Sequence, residues 1–197
     1  MGFLNGCGSG SLGPPPPVVK SFSVTPANAT PTAGVAFNIT VTALDNSGQV
    51  FPTYSGTVHF ASSDSQFVPP TNSTITNGTG TFSVTLKTAG PQSVTAADTA
   101  SITGSTPVTV SAAAPSQFSV TAASAASLTG ATFKFTVTAQ DAFKNTATSY
   151  AGTVHFTSSD TNAKTVLPAN SSLTNGTADF SAVLETVGSE SITATDT

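Results

Sequence analysis

The stretch VAFNITVTALD, residues 35–45, decides the fold. Apolar side chains fall at every second position, Val35, Phe37, Ile39, Val41 and Ala43, with Asn38, Thr40 and Thr42 between them. A period of two with one apolar face predicts a strand that lays one side on a core and the other in water. The stretch returns as ATFKFTVTAQD at 131–141, where Ala131, Phe133, Phe135, Val137 and Ala139 form the inward set.

The repetition extends well beyond this strand. SFSVT (21–25) returns as QFSVT (117–121), and YSGTVHFASSD (54–64) as YAGTVHFTSSD (150–160), both offset by 96. TNGTGTFSVTLKTAG (76–90) returns as TNGTADFSAVLETVG (174–188), offset by 98 after two inserted residues. Val58 and Phe60 flank His59, and Phe82, Val84 and Leu86 alternate with Ser83, Thr85 and Lys87. Asp45-Asn46-Ser47-Gly48, Asn77-Gly78 and Asn175-Gly176 supply turns between the runs. About seven short strands per copy, each polar on one face, predict an all-β chain of two tandem immunoglobulin-like β-sandwiches. The boundaries expected are a tail and Pro-rich linker over 1–17, a first sandwich over 18–113 and a second over 114–197.

Composition agrees with that reading. Only 7% of the 197 residues are charged and 63 are Ser or Thr, while 13 Phe provide core material. This is the chemistry of pleated, half-buried surfaces. A net charge of −4 without clusters argues against nucleic acid as a partner. No transmembrane segment is expected, because no run of 18 apolar residues occurs. The single cysteine, Cys7, excludes an intrachain disulfide.

The phrases YSGTVHFASSD, TFSVTLKTAGPQSVTAADT and ASITGSTPVTVSAAAPSQFSV resemble the tandem immunoglobulin-like repeats of very large bacterial surface and secreted proteins. The resemblance covers residues 18–197. It implies an extracellular or cell-surface module that builds length, display or adhesion, and it implies no catalytic residue.

The two copies differ at their ends. Copy one closes with ASITGSTPVTVS (100–111), a last (G) strand presenting Ile102, Val108 and Val110. Copy two reaches SITATDT (191–197) at its sixth strand, so a G strand is expected to be missing or supplied in trans. Burying such aliphatic side chains is worth about 1.5–3 kcal/mol each, which together is on the order of the 5–15 kcal/mol stability of a whole domain. The tail LNGCGSGSLG can be set beside ITGSTPVTVS: Leu4 falls on Ile102, Gly6 on Gly104 and Leu12 on Val110, with Gly8 and Gly10 in place of Thr106 and Val108. One expectation is therefore donor-strand complementation, with Leu4, Gly6, Gly8, Gly10 and Leu12 of one copy filling the second sandwich of another in a head-to-tail homopolymer. The alternative is a glycine-rich leader on a fragment of a longer tandem-repeat adhesin, continued by further immunoglobulin-like repeats, whose loops bind a glycan or protein ligand. Pro14 to Pro17 are expected to form a stiff spacer in either case.

Smaller signals complete the reading. Asn28, Asn38, Asn72, Asn77, Asn170 and Asn175 stand in Asn-x-Ser/Thr sequons and are candidate glycosylation sites on an outward Thr-rich surface. Leu4-Asn5-Gly6-Cys7 resembles a lipobox, in which Cys7 would be acylated, although no apolar segment precedes it. His59 and His155 are equivalent outward positions rather than a ligand pair, and Asp64 and Asp160 are expected to cap turns. Asp45-Asn46-Ser47-Gly48 carries oxygen ligands that Asp141-Ala142-Phe143-Lys144 lacks, so no calcium site is expected. No nucleophile–base pair, convergent carboxylate pair or phosphate loop is evident, and neither an enzyme nor a cofactor is expected.

Overall fold

The computed structural model describes residues 18–71 and 73–197. The donor-strand candidates Leu4, Gly6, Gly8, Gly10 and Leu12, together with Cys7, Pro14 to Pro17 and Asn72, lie outside the described residues.

The protein is all-β, built as two immunoglobulin-like sandwiches in tandem. In the first, β1 (Val19–Pro26), β2 (Ala36–Asp45) and β5 (Thr79–Thr85) form one antiparallel sheet in the order β1-β2-β5. The facing sheet runs β4-β3-β6-β7, from β4 (Thr74–Ile75), β3 (Gly56–Ser62), β6 (Gly90–Asp98) and β7 (Thr103–Val110). The second sandwich repeats the first sheet as β12-β9-β8, from β8 (Gln117–Ala122), β9 (Thr132–Gln140) and β12 (Thr177–Val183). Its other sheet is β11-β10-β13, from β10 (Thr153–Ser158), β11 (Ser171–Ser172) and β13 (Ile192–Asp196).

The alternation seen in the sequence is the alternation of burial. Phe37, Ile39, Val41 and Ala43 face the first core with Val58, Val84, Leu86, Val94, Val108 and Val110. Phe135, Val137 and Ala139 face the second with Val154, Phe156, Leu173 and Ala182. Val35 departs from the expected inward set. It precedes β2, next to Gly34 with φ +78°, and is 55% exposed because the pleat has not yet begun there. Both Asn-Gly pairs are two-residue hairpin turns with positive φ at each position, 54° and 77° at Asn77-Gly78, 50° and 74° at Asn175-Gly176. Mirror-image turns of this kind match strand twist and favour Asn-Gly.

One buried carboxylate braces each sandwich at the same place. Asp64 is almost wholly buried after β3, and its carboxylate accepts from the amides of Lys87 (2.5 Å), Thr88 (3.0 Å) and Gln66 (2.9 Å) and from the Thr88 hydroxyl (2.6 Å). Asp160 repeats this on Glu185, Thr186 and Asn162. Each Asp thus does more than cap a local turn, tying the end of one strand to a loop over twenty residues further on. Burial alone would raise the Asp64 carboxyl, but the hydrogen bonds from Thr88, Lys87 and Gln66 prevail and hold it below the usual carboxylate range.

Candidate functional site

Two places in this fold set the second sandwich apart from the first. The first is the end of the second sandwich, where β13 has an open edge.

In the first sandwich β6 is paired on both sides, to β3 over Val94–Asp98 and to β7 over Gly90–Ala97. Strand β7 also reaches the opposite flank. Thr109 and Ser111 donate to the carbonyls of Ala29 and Pro31 at 2.9 Å, and Ala33 donates to the Ser111 carbonyl at 2.8 Å. Its Thr106, Val108 and Val110 are buried. In the second sandwich β13 pairs with β10 over Ile192–Asp196, and among the described residues no strand lies on its other edge. The segment equivalent to Gly90–Ser93, namely Gly188–Ser191, is not a strand at all. In copy one, β7 is the only strand that Gly90–Ser93 pairs with in register.

The side chains register the same deficit. Val24 is 8% exposed, whereas its equivalent Val120 is 36% exposed. Phe22, Phe37, Phe82, Leu86, Val94 and Ala96 are buried, while Phe118, Phe133, Phe180, Leu184, Ile192 and Ala194 are only half-buried. A groove of about 480 Å³ runs between residues 122–129 and 184–190, over Phe133 and Leu184. It occupies the place that Val108–Ser111 fill in the first sandwich. Leu128 and Val187 stand on its rim, 81% and 86% exposed, where copy one has Thr32 and Ala89. Among the described residues no hydrogen bond reaches the carbonyls of Ala125 and Ser127, the equivalents of the two that accept from β7. Phe133 and Leu184 on the floor, Leu128 and Val187 on the rim and the exposed edge of β13 thus lie together at this end, among Ser124, Ser127, Thr129 and Glu190.

The second place is the joint between the sandwiches. The loop after β9 turns on Asp141, whose Oδ1 accepts from the amides of Phe143 and Asn145, both at 2.9 Å. Asp45 makes the same turn in copy one with Ser47 (2.8 Å) and Gln49 (2.9 Å). Copy two adds a clamp. Asn145 donates from Nδ2 to the Lys87 carbonyl (2.7 Å) and accepts at Oδ1 from the Ala89 amide (2.8 Å), so one amide group satisfies two backbone groups of the first sandwich. The Phe143 ring lies against Gly34, filling the space a side chain there would need, with the Lys87 ammonium 5.8 Å from its centroid. Asp141 is fully buried and also accepts from Ala113 (2.9 Å) in the connecting segment. Burial pushes its carboxyl up, and the bonds from Asn145, Ala113 and Phe143 more than reverse this. The divergence of Asp141-Ala142-Phe143-Lys144 from Asp45-Asn46-Ser47-Gly48, read from sequence as a loss of cation ligands, brings the Phe143 plug here, and the neighbouring Asn145 brings the clamp.

The remaining sequence candidates are placed plainly. Asn28, Asn38, Asn77, Asn170 and Asn175 are all exposed, Asn28 in a turn where it accepts from the Thr30 amide at 2.9 Å. Asn38 lies within β2 rather than on a loop. His59 and His155 are exposed on β3 and β10, and the His155 Nδ1 lies 2.9 Å from Asn170 Oδ1. Tyr54 and Tyr150 each donate to the carboxylate of Asp98 and Asp196 respectively. Among the described residues no group of three or more His, Cys, Asp or Glu is arranged to hold a metal ion.

No protein-family model and no curated protein matches this sequence. Among solved structures the chain is similar to FdeC, an Escherichia coli adhesin, at 17% identity and a TM-score of 0.51, covering 91% of this chain and 60% of that one. It is also similar to InvE, a Yersinia pseudotuberculosis adhesin (16% identity, TM-score 0.43, 89% and 58% of the two chains). Domains 5–6 of the S-layer protein SbsC match at 22% identity and a TM-score of 0.40, over 91% of each chain. The chain therefore spans 60% of the FdeC chain it matches, with which it shares the tandem immunoglobulin-like fold.

Proposed function

We propose that this chain is an extracellular structural module of a bacterial surface fibre, stalk or adhesin, extended head to tail through the open end of its second sandwich. The observation that carries this reading is the β13 edge, whose groove has the floor, rim and backbone acceptors for one more strand. Residues 3–12 of a neighbouring copy are the proposed occupant, since their apolar positions keep the spacing of Ile102 and Val110. The contact would join unlike surfaces and so propagate as a filament. The fold shared with an adhesin supports a surface location, and the exposed sequons Asn28, Asn38, Asn77, Asn170 and Asn175 are proposed glycan positions. The module performs no turnover in this reading; its work is mechanical.

A second reading is favoured by the share of FdeC that the chain spans: the module belongs to a longer tandem array, and the strand comes from the same polypeptide. Light scattering on the full chain and on a variant lacking residues 1–12 separates the two. Polymers that vanish on truncation support donation between copies; the same small size for both supports the array.

A further inference from the structure

Not every strand of suitable length can fill the groove, and the first sandwich shows why. Strand β7 crosses close to β1 at Gly104, which pairs with Ala96. A Cβ placed on Gly104 would lie 1.9 Å from the Phe22 carbonyl oxygen and 2.6 Å from its carbon. Those are backbone atoms of a strand already hydrogen-bonded into β2 through the Phe22–Ala43 pair, so they cannot step aside. Two and four residues further along, Thr106 and Val108 point into the core with their side chains buried.

The second sandwich presents the same elements to an incoming strand. Phe118 takes the place of Phe22 and pairs with Ala139, as Phe22 pairs with Ala43. Ala194 takes the place of Ala96 on β13, paired to Phe156 as Ala96 is to Phe60. We propose that the groove is gated by a glycine requirement: the strand that completes it must carry Gly opposite Ala194, beneath the Phe118 carbonyl, and accepts side chains at the next two inward positions. In the 3–12 segment that residue is Gly6, which aligns with Gly104, while Gly8 and Gly10 align with Thr106 and Val108. This inference rests on the proposed strand donation for the identity of the donor, but the glycine rule itself belongs to the groove.

Gly6 and Gly10 are thus predicted to respond with opposite signs. Any side chain at Gly6 collides with backbone, whereas Gly10→Val restores the valine that β7 buries and adds strand propensity. The experiment measures polymer size and dissociation of the full chain, of Gly6→Val, of Gly10→Val and of the chain lacking residues 1–12. The expected result is loss of polymer for Gly6→Val, as complete as for the truncation, and polymers for Gly10→Val that dissociate at least tenfold more slowly than the parent. Polymers from Gly6→Val equal to the parent, with none from the truncation, would overturn the glycine rule and leave strand donation standing. Where truncation changes nothing, the donor assignment fails, and a synthetic peptide of residues 100–111 tests the rule alone. Added to the full chain, that peptide should slow amide exchange across Ile192–Asp196, and its Gly104→Val version should not. Equal protection by both peptides would overturn the rule.

Discussion

Substituting Asp64 by Asn tests how the sandwich end is held together. The carboxylate satisfies four donors, two on each oxygen. An amide can present only one acceptor oxygen. Its better orientation keeps that oxygen on Lys87 and Thr88 and turns the NH₂ toward Gln66 and the Thr88 hydroxyl, which can rotate to accept. The Gln66 amide is then left without a partner, at a cost of about 1–3 kcal/mol, and the two retained bonds lose charge assistance worth roughly another 0.5–1.5 kcal/mol each. The expected destabilisation of the first sandwich is therefore about 2–6 kcal/mol, a large share of a domain's 5–15. Urea unfolding followed by amide exchange, read separately on β2 and β9, should show the loss in β2 alone. The pH dependence supplies a second check. A carboxyl held below its ordinary value contributes stability that is fully present above the unfolded pKa of about 3.9 and is lost as pH falls through the folded value. The parent should lose stability on acidification below about pH 4, and Asp64→Asn should lose less over that range. A variant within about 0.5 kcal/mol of the parent, the usual range for surface changes, would refute this account of Asp64.

Other expectations follow from single contacts. Phe143→Ala and Asn145→Ala should broaden the interdomain angle, seen as larger radius-of-gyration spread in solution scattering, and Asn145→Ala should also lower the melting of the second sandwich because it removes a bond to the buried Asp141 carboxylate; unchanged scattering would remove the plug and clamp. Asn77→Val forces a β-branched residue to φ 54° and should cost about 1–2 kcal/mol in chemical denaturation. Burial first, and then the Asp98 hydrogen bond and charge, push the Tyr54 hydroxyl up to about 12, and burial with Asp196 does the same for Tyr150. Stability linked to these raised groups is fully present below about pH 10 and is lost as pH rises through the folded values. Because the chain has two Tyr and no Trp, tyrosinate absorbance should stay low until well above pH 10 and then rise with unfolding.

What was legible in the sequence is what depends on near neighbours. Phe37 to Ala43 announce a half-buried strand because alternation is a property of consecutive residues, and Asn77-Gly78 announces a hairpin because the turn needs only its own two φ angles. Val35 shows the limit, since one residue beyond the strand the alternation continues in letters but not in geometry. Asp64 and Asp160 looked like local caps because their partners lie in loops that only the folded sandwich brings near. Asn145 and Phe143 were harder still: their partners Lys87 and Gly34 belong to the other sandwich. The available signal was a negative one, four residues that diverge inside otherwise repeated text.

That divergence bears on what is repeated along a fibre. The turn at Asp45 and the turn at Asp141 use the same hydrogen bonds, so the loop shape is common to both copies. Only the second carries a ring at its third position and a clamping amide at its fifth; the first has Ser47 and Gln49 there. The first sandwich therefore lacks the side chains with which the second grips its neighbour. Conversely, the far end of the second sandwich carries Leu128 and Val187, exposed, where the first carries Thr32 and Ala89 beside the joint. A next unit placed there would meet aliphatic side chains and an open strand edge instead of a ring-filled glycine and an asparagine clamp. Under the proposed head-to-tail assembly, the contact inside the pair and the contact at its end would use different chemistry. In a head-to-tail assembly the repeating mechanical unit is then the pair of sandwiches, with load passing through side-chain packing within each pair and through a backbone ladder between pairs.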